Sequence, residues 1–326
     1  MKTIRIDSTN VPDLPDSVCA IGYFDGLHLG HQQLIELARS QAEQKQLQSA
    51  VLTFDPDPWK VLKPGADLSH LSSLEDKKQL LEAFGVDLFY IVDFSKAFAA
   101  LSVEAFHQFL KALHIRELVC GFDFTYGSFG KGNAKTLQEC SYFETDVVSK
   151  ISDESEKISS SRIESLIREG DVFKANELLG YLYSLKGTVV HGFKRGRDLG
   201  CPTANLDVSK EAVLPKNGVY AGFVEVGQDL LPAMINVGYN PTFNNQSVTV
   251  EANVLNADLD LYGKTTRFFF ASRLRGEVRF DSLDELKEQL KLDAKNTLLV
   301  LPQSKPLFAR TAKLWSLSSV NDILSK

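Results

Sequence analysis

Through the first half of the chain, short apolar runs alternate with longer amphipathic ones. "SVCAIGYF" (17–24), "SAVLTF" (49–54), "VDLFYIVDF" (86–94) and "IRELVCGFDF" (115–124) read as buried strands. Between them, a stretch from about His31 to Gln46, then "SSLEDKKQLLEAFG" and "SVEAFHQFLKAL", carry the wider apolar spacing of helices. The middle one has a Ser cap, an acidic first turn and a Gly stop. Pro56, Pro58 and Pro64 punctuate the loop after the second strand. Strands alternating with helices predict a Rossmann-like α/β domain, a parallel sheet with helices on both faces. Ligands bind such sheets at the carboxyl ends of the strands, near the point where strand order reverses.

The pattern changes near Gly180. "SSSRIESLIREGDVFKANELLG" predicts two helical segments split at Glu169-Gly170. From "LKGTVVHG" onward the runs are short and bounded by turn residues: "GVYAGFVEV", "LPAMINVG", "VTVEANVLN" and "TTRFFFASRLR". That spacing predicts a small, mainly β barrel closed by a helix at "SLDELKEQLKLDAKN". The expected domains are residues 1–182 and 183–326. The tail from "LVLPQSKPLF" to the end has no role assigned by its pattern.

Composition narrows the function. Of 326 residues, 44% are hydrophobic and 24% charged, the balance of a globular protein with real cores. A formal net charge of −6 argues against a general nucleic-acid or anionic-membrane binder, so any polyanion site must be a local pocket. Cys19, Cys120, Cys140 and Cys201 show no C-x-x-C pairing and read as unpaired thiols of a reducing compartment. "MKTIRIDSTN" has no apolar targeting core, and no run approaches the length of a membrane span. The expectation is a cytoplasmic protein with neither a membrane nor a nucleic-acid partner.

The residues richest in chemistry are "YFDGLHLGHQQL", 23–34. His28 and His31 flank Gly30 just before a helix. A metal site would want further ligands, and no Cys/His cluster is near. Two structural histidines are one alternative. The other is a phosphate cradle: Gly30 lets the backbone approach, the helix N-terminus offers free N–H groups, and the imidazoles donate hydrogen bonds where charge builds at phosphorus. Farther on, "HGFKRGRDLGCPTANL" spaces Gly192, Gly196 and Gly200 among Lys194, Arg195 and Arg197. Such a loop suits a nucleotide phosphate, although a solvated basic turn would look the same.

The ordered series "GYFDGLHLGH", "LTFDPDP", "GFDFTYGSFGKGN", "ISSSRI", "RGRDLGCPTANL", "NGVYAG", "INVGYNPTF", "VEANVLN" and "LYGK" resembles the prokaryotic bifunctional riboflavin kinase/FMN adenylyltransferase (FAD synthetase) family, over about residues 15–295. The resemblance implies that the C-terminal barrel phosphorylates riboflavin with ATP and that the N-terminal domain transfers AMP to FMN, giving FAD and pyrophosphate. It implies Mg²⁺ in both reactions, with ATP, riboflavin and FMN as substrates. Residue by residue, it implies ATP contacts at Gly22, Phe24, Asp25, Gly30, Ser160, Ser161, Lys194, Arg197 and Asn205. His28, His31 and Glu251 would be catalytic, Glu251 as the base that accepts the riboflavin 5′-hydroxyl proton. Thr203 and Asn205 would meet the metal, as hard oxygen ligands suit Mg²⁺. Asp123, Phe124, Asn236 and Gly238 would face flavin.

Two positions depart from the family's adenylyltransferase pattern. Asp57 stands where His is common in Pro-His-Pro, and Glu164 stands where the family's Ser-Ser-Ser/Thr-x-Ile motif commonly ends in Arg. Unit charges about 5 Å apart at an effective dielectric of about 20 interact by roughly 3 kcal/mol, so a reversed contact with a triphosphate would slow the reaction sharply. Either Arg168, four residues beyond Glu164, reaches the phosphates, or the two merely pair on the surface. The alternatives are therefore a bifunctional enzyme, a riboflavin kinase with a weakened first domain, a non-catalytic flavin or nucleotide sensor, and a nucleotidyltransferase acting on another substrate.

Overall fold

The computed structural model describes residues 1–66, 68–191, 202–239, 248–257 and 259–318. They form two compact units, Met1–Ser159 and Ser160–Lys326.

The first unit is built on a six-stranded, wholly parallel sheet. Its strands are β1 (Lys2–Ile6), β2 (Ser17–Ile21), β3 (Gln48–Asp55), β4 (Leu88–Asp93), β5 (Ile115–Gly121) and β6 (Glu144–Val148). Their spatial order is β1-β4-β3-β2-β5-β6. All five residues of β2 are buried, as are six of the eight of β3, which is why they read as unbroken apolar runs. The main helices are α1 (Leu29–Lys45), α2 (Leu74–Ala83) and α3 (Val103–Ala112). Ser73 and Asp76 close a reciprocal capping box on α2, and Ser102 caps α3. The sheet runs one way from β2 through β3 to β4 and the other way to β5 and β6. The reversal falls between β2 and β5, so the loops after those two strands flank the expected crevice.

The second unit opens with α4 (Ser160–Glu169) and α5 (Val172–Leu179), split at Gly170 as the sequence implies. A closed barrel follows: β7 (Ser184–Val190), β8 (Ala204–Val208), β9 (Gly218–Val226), β10 (Asp229–Tyr239), β11 (Val248–Val254) and β12 (Thr265–Arg275), in the order β7-β8-β11-β10-β9-β12. Then come α6 (Leu283–Val300) and α7 (Lys305–Leu314).

The packing division at Ser159/Ser160 lies earlier than the boundary expected at residue 183. The reason is α5, whose buried Asn176 donates from Nδ2 to the Phe270 carbonyl on β12 (2.8 Å) and accepts from the Tyr183 amide (2.6 Å). A buried amide satisfied by barrel backbone ties that helix to the barrel. The tail also has a place. Phe308 of α7 packs on Phe223, Trp315 meets Phe269 edge-on, and Thr311 Oγ1 accepts from the Leu182 amide at 2.9 Å. This cover explains how Phe268, Phe269 and Phe270, consecutive in β12, are all buried.

Candidate functional sites

The first site is the loop that leaves β2. Phe24 adopts a left-handed conformation (φ 57°, ψ 39°) and buries its ring, and Gly26 follows at φ 71°. Asp25 is buried, with its carboxylate turned to protein. It accepts from the amides of Leu71 (3.0 Å) and Ser72 (3.1 Å), while Ser72 Oγ accepts from the Gly26 amide at 2.9 Å. The Phe-Asp-Gly turn is thus pinned to the segment before α2 by one carboxylate. Asp25 anchors the loop, a role its place in the motif did not disclose.

His28 caps α1. Its Nδ1 accepts from the His31 amide at 3.3 Å, so the proton of the neutral ring is assigned to Nε2. The His31 ring stacks on that of His28 with centroids 3.6 Å apart, and its other flank meets the edge of Phe24 at 5.2 Å. Burial, then the nearby Lys157 charge, pushes His28 down to about 4. Burial and the neighbouring His28 hold His31 well below the ordinary histidine value. At neutral pH both rings are uncharged donors at the positive end of a helix. Gly30 leaves room for this stack, because an added Cβ would lie 3.0 Å from the His28 ring. Gly22 likewise leaves room for Phe24, whose ring would meet its Cβ at 3.2 Å.

The loop after β5, across the strand reversal, carries Asp123 and Phe124. Asp123 pairs with Lys157, whose ammonium also lies 5.0 Å from the centroid of the Phe122 ring. Phe124 is partly buried against the sheet core and stacks near Tyr126. Phe122 and Phe129 are the more exposed aromatics of that loop, Phe129 almost completely so at 96%.

Neither departing charge stands bare. Asp57 is buried and caps a short helix at Pro58–Leu62, accepting from the Trp59 amide at 2.6 Å. Its other oxygen lies 3.7 Å from His70 Nδ1, and that nitrogen is 3.4 Å from the Tyr23 hydroxyl. Glu164 takes both Arg168 Nε (3.0 Å) and Nη2 (2.9 Å) in an i,i+4 pair on α4. The i,i+4 pair is thus present in the structure. Ser160 and Ser161 open that helix, in the second unit.

The second site is a matter of strand register. On the barrel, Asn205 of β8 lies opposite Glu251 of β11, which lies opposite Asn236 of β10. Directly opposed residues share a face, so the three polar side chains form one row. Their neighbours Leu206, Val250, Ala252, Ile235 and Val237 are buried, whereas Asn205 and Glu251 are half-buried and Asn236 is exposed. Thr203 Oγ1 is 3.5 Å from Glu251 Oε2, and Asn253 Nδ2 fixes the adjoining Pro202 carbonyl at 2.8 Å. Gly238 sits two residues beyond Asn236, its carbonyl accepting from Thr249 Oγ1 at 3.2 Å. Hydroxyl, amide and carboxylate oxygens side by side are donors suited to a hard cation. Among the described residues, no group of three or more His, Cys, Asp or Glu could hold a metal by itself. Lys194 and Arg197 lie outside the described residues, as do Gly192, Cys201 and most of "YNPTF".

Comparison with known proteins gives two family models, one for each half of the chain. The family models described as FAD synthetase and riboflavin kinase match residues 11–162 and 179–301. A Listeria monocytogenes bifunctional riboflavin kinase/FMN adenylyltransferase is 42% identical over 86% of this chain and 91% of its own. The Bacillus subtilis protein of that name is 39% identical over 91% and 98%, respectively. A crystal structure from Streptococcus pneumoniae, named there as a macrolide-efflux protein, is 37% identical. It superposes with a TM-score of 0.85 over 90% of this chain and 98% of its own. Among the described residues here, no helix is long and apolar enough to cross a membrane.

Proposed function

The chain belongs to the bifunctional riboflavin kinase/FMN adenylyltransferase family, and from that premise we propose how its two sites divide the work. The barrel phosphorylates riboflavin, and the parallel-sheet unit adenylylates the FMN so formed. The observation that carries this reading is that two compact units each hold a polar constellation of their own, matched to a different family model.

In the barrel, Glu251 accepts the proton of the riboflavin 5′-hydroxyl as that oxygen bonds to the γ-phosphorus and the bond to ADP breaks. Asn236, on the same row, faces the flavin beside Gly238. A magnesium ion bound with the nucleotide would be held by the Thr203 hydroxyl and the Asn205 amide oxygen, and it would offset charge on the phosphates. Lys194 and Arg197, which fall between β7 and β8 in the sequence, would meet phosphate.

In the first unit, a phosphate oxygen of FMN attacks the α-phosphorus of ATP, and pyrophosphate leaves. His28, through Nε2, and His31 donate to phosphate oxygens as negative charge accumulates there. Gly22, Phe24 and Gly30 shape that loop. Asp123 and Phe124, across the strand reversal, belong to the flavin side. The resemblance also assigns phosphate contacts to Ser160 and Ser161, the hydroxyls that open α4.

The charge balance supports small-molecule substrates over nucleic acid, and free thiols at Cys19, Cys120 and Cys140 support a cytoplasmic setting. The test is product analysis. Riboflavin, ATP and Mg²⁺ should yield FMN and then FAD, resolved by chromatography. Accumulation of FMN without FAD, even with FMN and ATP in excess, would leave a kinase alone.

A further inference from the structure

Behind the histidine loop lies a cation that neither motif accounts for. Lys77, on the second turn of α2, is 3% exposed. Its ammonium donates to the Tyr23 carbonyl at 2.8 Å and sits 3.7 Å from the centroid of the Tyr23 ring. The same carbonyl accepts from the Thr53 hydroxyl of β3 at 2.9 Å, so two buried donors converge on one peptide of the loop. Tyr23 directly precedes the left-handed Phe24 that carries the chain toward His28.

The charges around this lysine are lopsided. The carboxylates of Asp25, from the histidine loop, and of Asp55 and Asp57, from the end of β3 and the turn beyond it, act on it as opposite charges. His31 of α1 feels its field in the opposite sense. The Tyr23 hydroxyl faces His70 and Asp57 from the same cluster. Burying an ammonium is costly unless something nearby requires it. Asp55 is already paired with Arg5 of β1, so the carboxylates left for Lys77 to offset are Asp25 and Asp57, which lie beside a pocket read as binding a polyphosphate.

We propose that Lys77 is the positioning residue of the adenylyl-transfer site: it fixes the Tyr23 turn that aims the histidine pair and offsets the carboxylates behind it, Asp57 included. The inference rests on the adenylyltransferase reading of the first unit. It also explains how a carboxylate is tolerated at position 57.

Burial pushes the Lys77 ammonium down to about 8, against the raising effect of Asp25, Asp57 and Asp55. Deprotonation on the alkaline side should therefore remove the charge that offsets the carboxylates and weaken the charge-assisted hydrogen bond that holds the turn. Of the other groups facing Lys77, Tyr23 is pushed far upward by burial and His31 far downward, so neither titrates in that window.

The experiment compares the full chain with Lys77→Met and Lys77→Arg, measuring FMN-to-FAD and riboflavin-to-FMN rates from pH 6 to 10. Wild type should lose FAD formation above about pH 8, without the same limb in riboflavin phosphorylation. Lys77→Met should lower kcat for FAD at least tenfold while KM for ATP changes less and the kinase rate is kept. Lys77→Arg, always charged, should stay within about threefold and carry its alkaline limb upward. A folded Lys77→Met with wild-type FAD formation would overturn the inference. If Lys77→Met does not fold, as judged by loss of a thermal transition, Lys77→Arg decides, and an unmoved limb is the overturning result. Wild type that forms no FAD at all sinks the underlying reading, whereas wild type and Lys77→Met forming it equally sinks only the role of Lys77.

Discussion

The two sites handle phosphorus with opposite construction. In the parallel-sheet unit, the donors are neutral and stacked, His28 buried and His31 half-buried, and even the anchoring carboxylate of Asp25 is engaged by backbone amides. In the barrel, the polar row Asn205–Glu251–Asn236 stands on the less buried face of the strands, set side by side by strand register. Burial serves the first, because an imidazole stripped of water stays neutral and its direction is fixed in advance. The same burial would harm the second: a carboxylate base must stay charged to take a proton, and contact with water permits that. Packing therefore sets the first site, and register sets the second.

The widest separation of the two comes from Glu251→Gln, which keeps the shape of the side chain and removes the base. Riboflavin phosphorylation should fall by about 10²–10⁴-fold. FAD formation from supplied FMN should be unchanged. Equal loss of both rates would show that the sites are not independent.

The mirror experiment is His28→Ala, where the loss of one phosphate donor should cost FAD formation about 10²–10³-fold and leave the kinase intact. The same histidine links stability to acid. Its folded value, about 4, lies below its unfolded value of about 6.5, so the unfolded chain binds more protons between them. Stability of the first unit should thus be full above pH 6.5 and decline as pH falls toward 4, by about 3 kcal/mol from this one group. Thermal melts at pH 7 and pH 4.5 measure it. A melt in His28→Asn with undiminished acid sensitivity would assign the loss to other groups.

How far these differences could be read in advance depended on what produced them. The six parallel-sheet strands include four that announce themselves as apolar runs. The edge strands β1 and β6 do not, since "KTIRI" and "ETDVV" are half-exposed and mix charges into a short span. The His28/His31 pair was legible because a helix start and a glycine share the motif. The function of Asp25 was not, because its partners Leu71 and Ser72 are 46 and 47 residues away. Lys77 was hidden for the same reason: on a capped amphipathic helix a lysine reads as surface, and only tertiary packing buries it. The row Asn205–Glu251–Asn236 needed the pairing of β8, β11 and β10, which no local pattern specifies. The tail helix α7 was masked by Pro302 and Pro306, which look like breakers yet lie in the first turns of helical segments.

A subtler perturbation probes packing alone. Gly30→Ala introduces one methyl group 3.0 Å from the His28 ring and leaves every polar group in place. The ring must rotate or the helix start must shift by a few tenths of an ångström. FAD formation should fall roughly tenfold, since donors lose much of their effect when misplaced by about 1 Å. Riboflavin phosphorylation and the thermal stability of the barrel should not move. Unchanged FAD formation would mean that the His28–His31 stack does not set the rate.

The smallest expected effect concerns Arg168, whose alternatives were a phosphate contact and a surface pair. Its guanidinium is committed to Glu164 through two nitrogens, and both side chains reach solvent. Exposed i,i+4 pairs of this kind contribute about 0.3–0.5 kcal/mol. Arg168→Ala should therefore lower stability by no more than about that amount and alter FAD formation less than about twofold. Because Arg168 is also the cation compensating Glu164, removing it exposes the charge at the position where the family usually has Arg. A drop in FAD formation well beyond twofold, rescued in the double variant Glu164→Ala/Arg168→Ala, would show that this charge reaches the nucleotide. A drop that the double variant fails to rescue would instead assign Arg168 to the phosphates directly and return the surface pair to a secondary role.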